Sequence, residues 1–272
     1  MMARLAERAR RALPVRRAVP TAGIAGSADD TLEAFDVTVH FEGLAAVDGV
    51  SIAMRNGEVF GLIGPNGAGK TTLVNVLTGF QRPSRGRVVL GGDDVTGLSA
   101  HELGRRGLAR TFQAVRLFRD MPVIENLEAA AVGTGLGRRE ARRRAARILA
   151  WMRFAHRADD RADTLPYGEE RRVGIGRALA MAPRFVLLDE PAAGLSDAEC
   201  DELMGLIAEI PRVFGCGVLL IEHNMRVIMG ACHRIHVIES GRTVAEGSPE
   251  EIQANPDVLR AYLGTRSADA RG

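Results

Sequence analysis

The nine residues GPNGAGKTT at 64–72 constrain the fold more than any other part of the chain. They fit the pattern G-x-x-x-x-G-K-[ST] and lie between a continuous apolar run at 59–63 and a helical pattern that begins at Lys70. Glycines in such a loop let backbone N–H groups turn inward around phosphate oxygens, and the helix N-terminus adds a positive dipole end. The sequence therefore predicts a loop that binds the phosphates of a nucleotide, formed by Gly64, Pro65, Asn66, Gly67, Ala68, Gly69, Lys70, Thr71 and Thr72.

Lys70 is the only lysine in the 272 residues, and every other one of the 36 Lys and Arg residues is an arginine. A compact ammonium on a flexible stem fits between the β- and γ-phosphates of a nucleotide, whereas a broad planar guanidinium does not. The retention of lysine at this position supports a phosphate-binding role for its side chain.

An acidic pair is the second chemical feature, in the segment RFVLLDEP at 184–191. Asp189 follows an apolar strand pattern, and its carboxylate together with the hydroxyl of Thr71 supplies the oxygen ligands that Mg²⁺ prefers. Glu190 comes next and is placed to accept a proton from an attacking water. Together with the phosphate-binding loop, the pair predicts nucleotide hydrolysis.

The distribution of strands and helices predicts an α/β fold with a mainly parallel sheet. Two alternating runs between 31 and 54 predict a small N-terminal antiparallel β subdomain, and short apolar runs at 88–90, 185–188, 218–221 and 235–238 predict parallel crossover units. Residues 115–181 are helical and rich in arginine, and they predict an inserted helical subdomain. We expect residues 1–30 to form a disordered basic extension, residues 31–264 to form the folded domain and residues 265–272 to be a tail.

Charge and cysteine content exclude several classes of protein. The formal net charge is +2, of which residues 1–30 contribute +3 (six Arg, three Asp or Glu), so the remaining chain sums to −1. A near-neutral body argues against a nucleic-acid partner. The three cysteines are odd in number and lack metal-ligand spacing, which predicts buried thiols. The longest uncharged runs are about half of the ~20 apolar residues that a membrane-spanning helix needs, so membrane association must go through a partner.

These motifs occur in an order that resembles the ATP-binding subunits of ABC transporters, from about residue 32 to 264. Gln113 in ARTFQAVRLF matches the family's Q-loop glutamine, which contacts the metal and the nucleophilic water and links the site to the membrane domain. His223 in IEHN matches the switch histidine, and Phe41 lies where the family stacks an aromatic ring on adenine. The resemblance thus implies that ATP and Mg²⁺ bind here, and that Glu190, His223 and Gln113 are catalytic.

LPYGEERRV at 165–173 resembles the signature segment, which in this family completes the nucleotide site of a second ATPase subunit through Tyr167, Gly168 and Glu169. The family pattern begins Leu-Ser-Gly-Gly-Gln, and Pro166 here removes both the serine hydroxyl and a backbone N–H. Our hypothesis is that the composite site that uses this segment hydrolyses ATP poorly or holds it longer, while the site that contains Lys70 remains competent. AAGLSD at 192–197 resembles the D-loop, with Ser196 where many relatives have aspartate.

The segments FQAVRLFRDMPVIENL, DEPAAGLS and GRTVAEGSPEEIQANPDVLRAYLG are similar to the branched-chain amino acid importer type. This resemblance implies a second, different ATPase subunit (a homodimer being possible), two permease subunits, an extracytoplasmic solute-binding protein and a location at the cytoplasmic face of the inner membrane. Related importers carry amides and other small amino acids. Two alternatives stay open: a non-transport ABC ATPase that acts on nucleic acid or the ribosome, and a nucleotide-binding subunit with weakened turnover.

Overall fold

The computed structural model describes residues 30–261. Most of the predicted extension at 1–30 and the predicted tail at 265–272 lie outside the described residues. Strands are β1 (Thr31–Phe41), β2 (Leu44–Arg55), β3 (Val59–Ile63), β4 (Arg85–Leu90), β5 (Asp93–Asp94), β6 (Leu108–Arg110), β7 (Phe185–Asp189), β8 (Gly217–Ile221), β9 (Arg234–Glu239) and β10 (Arg242–Gly247). Helices are α1 (Lys70–Leu77), α2 (Ala100–Arg105), α3 (Val123–Gly133), α4 (Arg138–Trp151), α5 (Tyr167–Ala180), α6 (Asp197–Phe214), α7 (Met225–Ala231) and α8 (Pro249–Ala254).

The larger of two sheets has six strands in the order β10-β9-β3-β8-β7-β6, and all of them except β10 run parallel. Strands β3 and β8 are buried along their whole length, as the continuous apolar runs predict for strands covered on both faces. The carboxyl ends of β3, β6, β7 and β8 meet at one edge. The segments that follow them carry the phosphate-binding loop, Gln113, Glu190 and His223, so this edge assembles the predicted site.

The smaller sheet has four antiparallel strands in the order β2-β1-β4-β5, which confirms the antiparallel β subdomain. The expectation that residues 88–90 belong to a parallel crossover unit is wrong. Strand β4 pairs antiparallel with β1, with Leu90 opposite Leu32 and Val88 opposite Ala34. In β4 only Val88 and Leu90 are buried, so the strand has one covered face and fits the antiparallel layer.

The large sheet separates two hydrophobic cores, because successive side chains of a strand point to opposite faces. Phe60 and Leu62 of β3 join the core beneath the antiparallel sheet and α1, while Val59 and Ile63 join the core on the other face. Helices α3, α4 and α5 pack into this second core through side chains such as Leu127, Leu149 and Val173. Four arginines of α4 form ion pairs, Arg138 and Arg142 with Glu128 of α3 and Arg143 and Arg147 with Glu140.

The three cysteines are free and buried, and burial raises the pKa of the thiols of Cys216 and Cys232 to about 12. After α8, residues 256–261 are helical. The sequence predicts an apolar stripe of Val258, Leu259 and Tyr262 on this helix. The stripe is wrong for Leu259, which is half exposed, since Val258 and Ala261 form the buried face, and Tyr262 lies outside the described residues. Within residues 30–261 no helix is long and apolar enough to cross a bilayer.

Candidate active site at the carboxyl edge of the parallel sheet

The phosphate-binding loop runs from β3 into α1 and is clamped between two other strands. A Cβ atom on Gly64 would lie 2.0 Å from the carbonyl oxygen of Ile238, at the end of β9, and one on Gly69 would lie 2.3 Å from that of Ala46 in β2. Gly69 also has a φ of 98°, in the left-handed region that disfavours side chains. These close approaches fix the loop against both sheets, and only glycine fits at either position.

Lys70 is the first residue of α1, and only 8% of it is exposed. Its Nζ donates hydrogen bonds to the carbonyl oxygens of Gly64 (2.6 Å) and Pro65 (2.9 Å). Burial lowers the pKa of Lys70, while the nearby carboxylates of Glu190 and Asp189 oppose this shift. The ammonium thus lies inside the curve of the loop, where it would contact nucleotide phosphates. Asp189 and Glu190 are close enough to affect its pKa.

Asp189 and Glu190 occupy the end of β7, as predicted. One oxygen of Asp189 accepts a hydrogen bond from Arg110 (2.8 Å), which leaves the other oxygen for a ligand. Glu190 has a φ of 45°, unusual for a residue with a side chain, and this turn directs its carboxylate toward two of the predicted catalytic residues. Gln113 Nε2 donates to Glu190 Oε2 (2.8 Å), and His223 Nδ1 lies 3.9 Å from Glu190 Oε1.

Gln113, Glu190 and His223 are therefore brought together although they are separated by 77 and 33 residues in the chain. Each follows a different parallel strand, β6, β7 and β8. Glu190 is partly exposed and His223 is mostly exposed, so the cluster is open to solvent and to a substrate.

Phe41 ends β1, and its ring is half exposed. It lies at the turn of the hairpin whose second strand, β2, contacts Gly69. Thr71 and Thr72 are on the first turn of α1, and Thr71 is exposed. An exposed ring and an exposed hydroxyl near the loop are available to a nucleotide and to its metal ion.

The predicted signature segment lies at the start of α5. Pro166 is the N-cap residue and makes no side-chain capping bond, and the ring of Tyr167 is half exposed. A Cβ atom on Gly168 would lie 3.1 Å from Cδ2 of Leu195, so the segment packs on the segment that resembles the D-loop. The Glu169 carboxylate pairs with Arg157 (3.2 Å).

The serine at position 196 has a structural explanation. Ser196 is the N-cap of α6, and its hydroxyl forms a reciprocal capping box with Glu199. Serine and aspartate are both strong N-cap residues, so the substitution preserves the start of the helix.

Arg110 and Glu222 are polar residues at the site that sequence reasoning missed. The Arg110 side chain is 7% exposed and joins Asp189 to Asn75 of α1 and to Thr78, the C-cap residue of that helix. Glu222 is fully buried and accepts hydrogen bonds from the N–H groups of Ala192, His223 and Asn224, while burial raises its pKa. For Glu222 the available signal was a charged residue directly after an apolar run and beside His223, while Arg110 lies three residues before Gln113 and carried no such signal.

Comparisons with known proteins identify the family of the chain. The ABC transporter family matches residues 47–193, and the branched-chain amino acid ATP-binding cassette transporter family matches residues 242–268. The branched-chain amino acid transport ATP-binding protein BraF of Pseudomonas aeruginosa is 43% identical over 86% of this chain and 97% of its own length. LivG of Salmonella typhimurium, also a branched-chain amino acid transport ATP-binding protein, is 45% identical over 83% and 94%.

Solved structures show the same architecture. An ATP-binding cassette of an ABC transporter in its ADP conformation superposes with a TM-score of 0.78, at 30% identity over 86% of this chain and 99% of that one. A bacterial ABC transporter cassette solved as a dimer superposes with a TM-score of 0.71, at 25% identity over 80% and 98%. With the phosphate-binding loop, the acidic pair and the carboxyl-edge cluster in place, the chain belongs to the family of ATP-hydrolysing, ATP-binding subunits of ABC transporters.

Proposed function

We propose that this chain hydrolyses ATP to drive the uptake of branched-chain amino acids, or related small amino acids or amides, through partner permeases. The observation that carries ATP hydrolysis is the Glu190 carboxylate at the end of β7, which is bonded to Gln113 and close to the ammonium of Lys70. The transported class rests on the relatives and on the match at residues 242–268. Residues 31–264 form the ATPase domain in this proposal, with 115–181 as its helical subdomain.

In the proposed reaction the N–H groups of the loop and Lys70 bind the β- and γ-phosphates, and the exposed ring of Phe41 stacks on adenine. Glu190 accepts the proton of the attacking water, while the Gln113 amide holds one oxygen of that carboxylate in place. His223 lies on the other side of the same carboxylate, where it can contact the γ-phosphate. Hydrolysis therefore depends on three segments that meet only in the folded chain.

The residues fit a magnesium ion of the kind that nucleotides bring with them. Among residues 30–261 no cluster of three or more His, Cys, Asp or Glu side chains forms a ready metal cage. Mg²⁺ in nucleotide sites takes one or two protein oxygens and completes its shell with phosphates and water. Thr71 and the Asp189 oxygen not bonded to Arg110 would hold it with Gln113, and when bound it would neutralise charge on the phosphates.

The proposal requires a second ATPase subunit, different from this chain or identical to it, because the signature residues Tyr167, Gly168 and Glu169 are to face a nucleotide bound by the partner. The dimeric cassette among the similar structures supports such a pair. A cavity of about 160 Å³ between α5 and the segment after β6 is lined by Phe112, Val115 and Arg177, among others, and offers a place for a permease loop. The complex would lie at the cytoplasmic face of the inner membrane and receive solute from an extracytoplasmic binding protein.

Reconstitution tests the proposal directly. The chain would be assembled with its second ATPase subunit and permeases in vesicles, and uptake of labelled leucine would be followed with and without Mg-ATP and the binding protein. We expect uptake that requires ATP in the wild type and is lost in Glu190→Gln. ATP hydrolysis without uptake of any branched-chain or small amino acid would contradict the transported class, and no hydrolysis at all would contradict the whole proposal.

A further inference from the structure

Arg171 is a buried cation that the reaction above does not use. It lies in the second turn of α5, four residues after Tyr167, and only 4% of it is exposed. Burial of a charge is expensive unless the charge is paired with an opposite one. Among the ion pairs of residues 30–261 none includes Arg171. Its hydrogen-bond partners are uncharged groups, so what the guanidinium provides here is the geometry of these contacts.

These partners belong to two different functional segments. The NH1 group donates to the main-chain carbonyl oxygen of Glu190 (2.8 Å), and the NH2 group donates to the hydroxyl of Tyr167. The guanidinium carbon also lies 4.9 Å from the centre of the Tyr167 ring, within the range of a cation–π contact. Tyr167 and Arg171 are four residues apart on one helix, so they share a face.

Glu190 is a residue whose backbone needs support. Its φ of 45° is a left-handed conformation that costs free energy for a residue with a side chain. Its N–H donates to the carbonyl oxygen of Ile221 (2.9 Å), and its carbonyl oxygen accepts from Arg171. A shift of the guanidinium would rotate the peptide that follows Glu190 and thereby move the carboxylate.

We propose that Arg171 is a positioning residue that couples the two nucleotide sites of the assembled pair. It connects Tyr167, which faces the partner's nucleotide, to the backbone of the proposed base Glu190 in this chain's own site. The inference rests on the proposed function, because only in a pair of ATPase subunits does Tyr167 meet a nucleotide. Gly194 provides a second contact at this end, since a Cβ atom on it would lie 3.3 Å from the Tyr167 ring.

The test compares Arg171→Met, Arg171→Lys, Tyr167→Phe and the double variant R171M/Y167F in the assembled complex. We expect R171M to lower kcat by about 10- to 100-fold, the range usual for the loss of a residue that orients a reactive group. The Kd of the full chain for Mg-ATP, measured by calorimetry, should stay within about threefold of wild type, because the phosphate-binding loop is intact. The Hill coefficient of ATP hydrolysis should exceed one in the wild type and fall toward one in R171M.

The double variant separates coupling from a local packing role. If Arg171 acts through Tyr167, R171M/Y167F should be no slower than R171M, since both changes interrupt one path. R171K should recover part of the rate, because an ammonium can reach only one of the two partners. Arg143→Met is the matched control, since Arg143 lies in a neighbouring helix, is exposed and pairs with the partly exposed Glu140. It should leave kcat and the Hill coefficient unchanged.

Several results would overturn the inference. These are additive losses in the double variant, an unchanged Hill coefficient in R171M, or a loss of kcat that appears only together with a loss of Mg-ATP affinity. If R171M does not fold, Y167F and R171K decide, and a wild-type kcat in both would count against coupling. A wild-type complex that does not hydrolyse ATP would instead refute the proposed function itself.

Discussion

Replacing Lys70 by methionine separates nucleotide binding from folding. The Lys70 ammonium is buried and donates two hydrogen bonds, to the carbonyl oxygens of Gly64 and Pro65. Methionine keeps the apolar stem and its flexibility but carries no charge. The Nζ atom of Lys70 should therefore contribute differently to the stability of the free chain and to its affinity for ATP.

In the chain without ATP, Lys70 makes two opposing contributions to the free energy of unfolding, and they nearly cancel. Two hydrogen bonds to a charged group are worth about 1.5–3 kcal/mol each, and burying an ammonium costs several kcal/mol. We expect the variant to unfold within a few degrees of the wild type, since about 1 kcal/mol corresponds to roughly 2–4 °C in a chain of this size. With ATP bound, the ammonium contacts phosphates, and the loss of two such bonds should weaken binding by about 10²–10⁴-fold.

Thermal unfolding and calorimetric titration with Mg-ATP measure the two quantities on the same protein, with Arg143→Met as a control that should change neither. Because Lys70 is the only lysine, its amine-reactive labelling can be read at a single lysine-containing peptide, separately from labelling of the α-amino group, and Mg-ATP should lower labelling at that peptide. A Kd for Mg-ATP within about fivefold of wild type would refute the assignment of Lys70 to the phosphates.

The free energy of unfolding of the wild type, compared with that of Lys70→Met, should depend on pH with a definite sign. Burial lowers the pKa of Lys70 in the folded chain below that of the unfolded chain, although Glu190 and Asp189 oppose the shift. The cost of the buried charge is then fully present at pH values below the folded pKa and disappears as pH rises through the unfolded value of about 10.4. The free energy of unfolding of the wild type, relative to Lys70→Met, should therefore rise between neutral pH and pH of about 10, and a flat difference in urea unfolding would contradict this.

Three further predictions concern the reaction, the loop and the signature segment. Glu190→Gln should lower kcat by about 10²–10⁴-fold and leave Mg-ATP binding intact, which rapid-quench and equilibrium binding measurements would show; full activity would exclude it as the base. Gly69→Ala should lower the Tm and abolish ATP binding, because its Cβ would lie 2.3 Å from a carbonyl oxygen of β2. Gly67→Ala, whose Cβ would meet nothing within 4 Å, should cost only about 1–2 kcal/mol of backbone strain. Equal effects of the two variants would contradict the clash at Gly69. Pro166→Ser should raise the ATPase rate of the assembled complex, and an unchanged rate would remove the hypothesis that proline slows that composite site.

Much of the fold and of the site could be predicted from the sequence where the information is local. The phosphate-binding loop needs glycines, one ammonium and a hydroxyl within nine residues, so the pattern at 64–72 determines it without knowledge of the rest. The acidic pair at 189–190 is likewise adjacent in the chain. The continuous apolar runs of β3 and β8 specify strands covered on both faces, since any other placement would leave apolar side chains in water.

Only the tertiary structure determines which strands pair and which distant side chains are in contact. Three apolar residues at 88–90 do not specify a partner, and pairing with β1 placed them in the antiparallel sheet. The contacts of Gln113 and Arg171 with Glu190, and that of Arg110 with Asp189, join side chains to groups that lie 19 to 79 residues away. Burial of a charge and the partner that compensates it depend on strand order and helix packing, and these are properties of the whole folded chain.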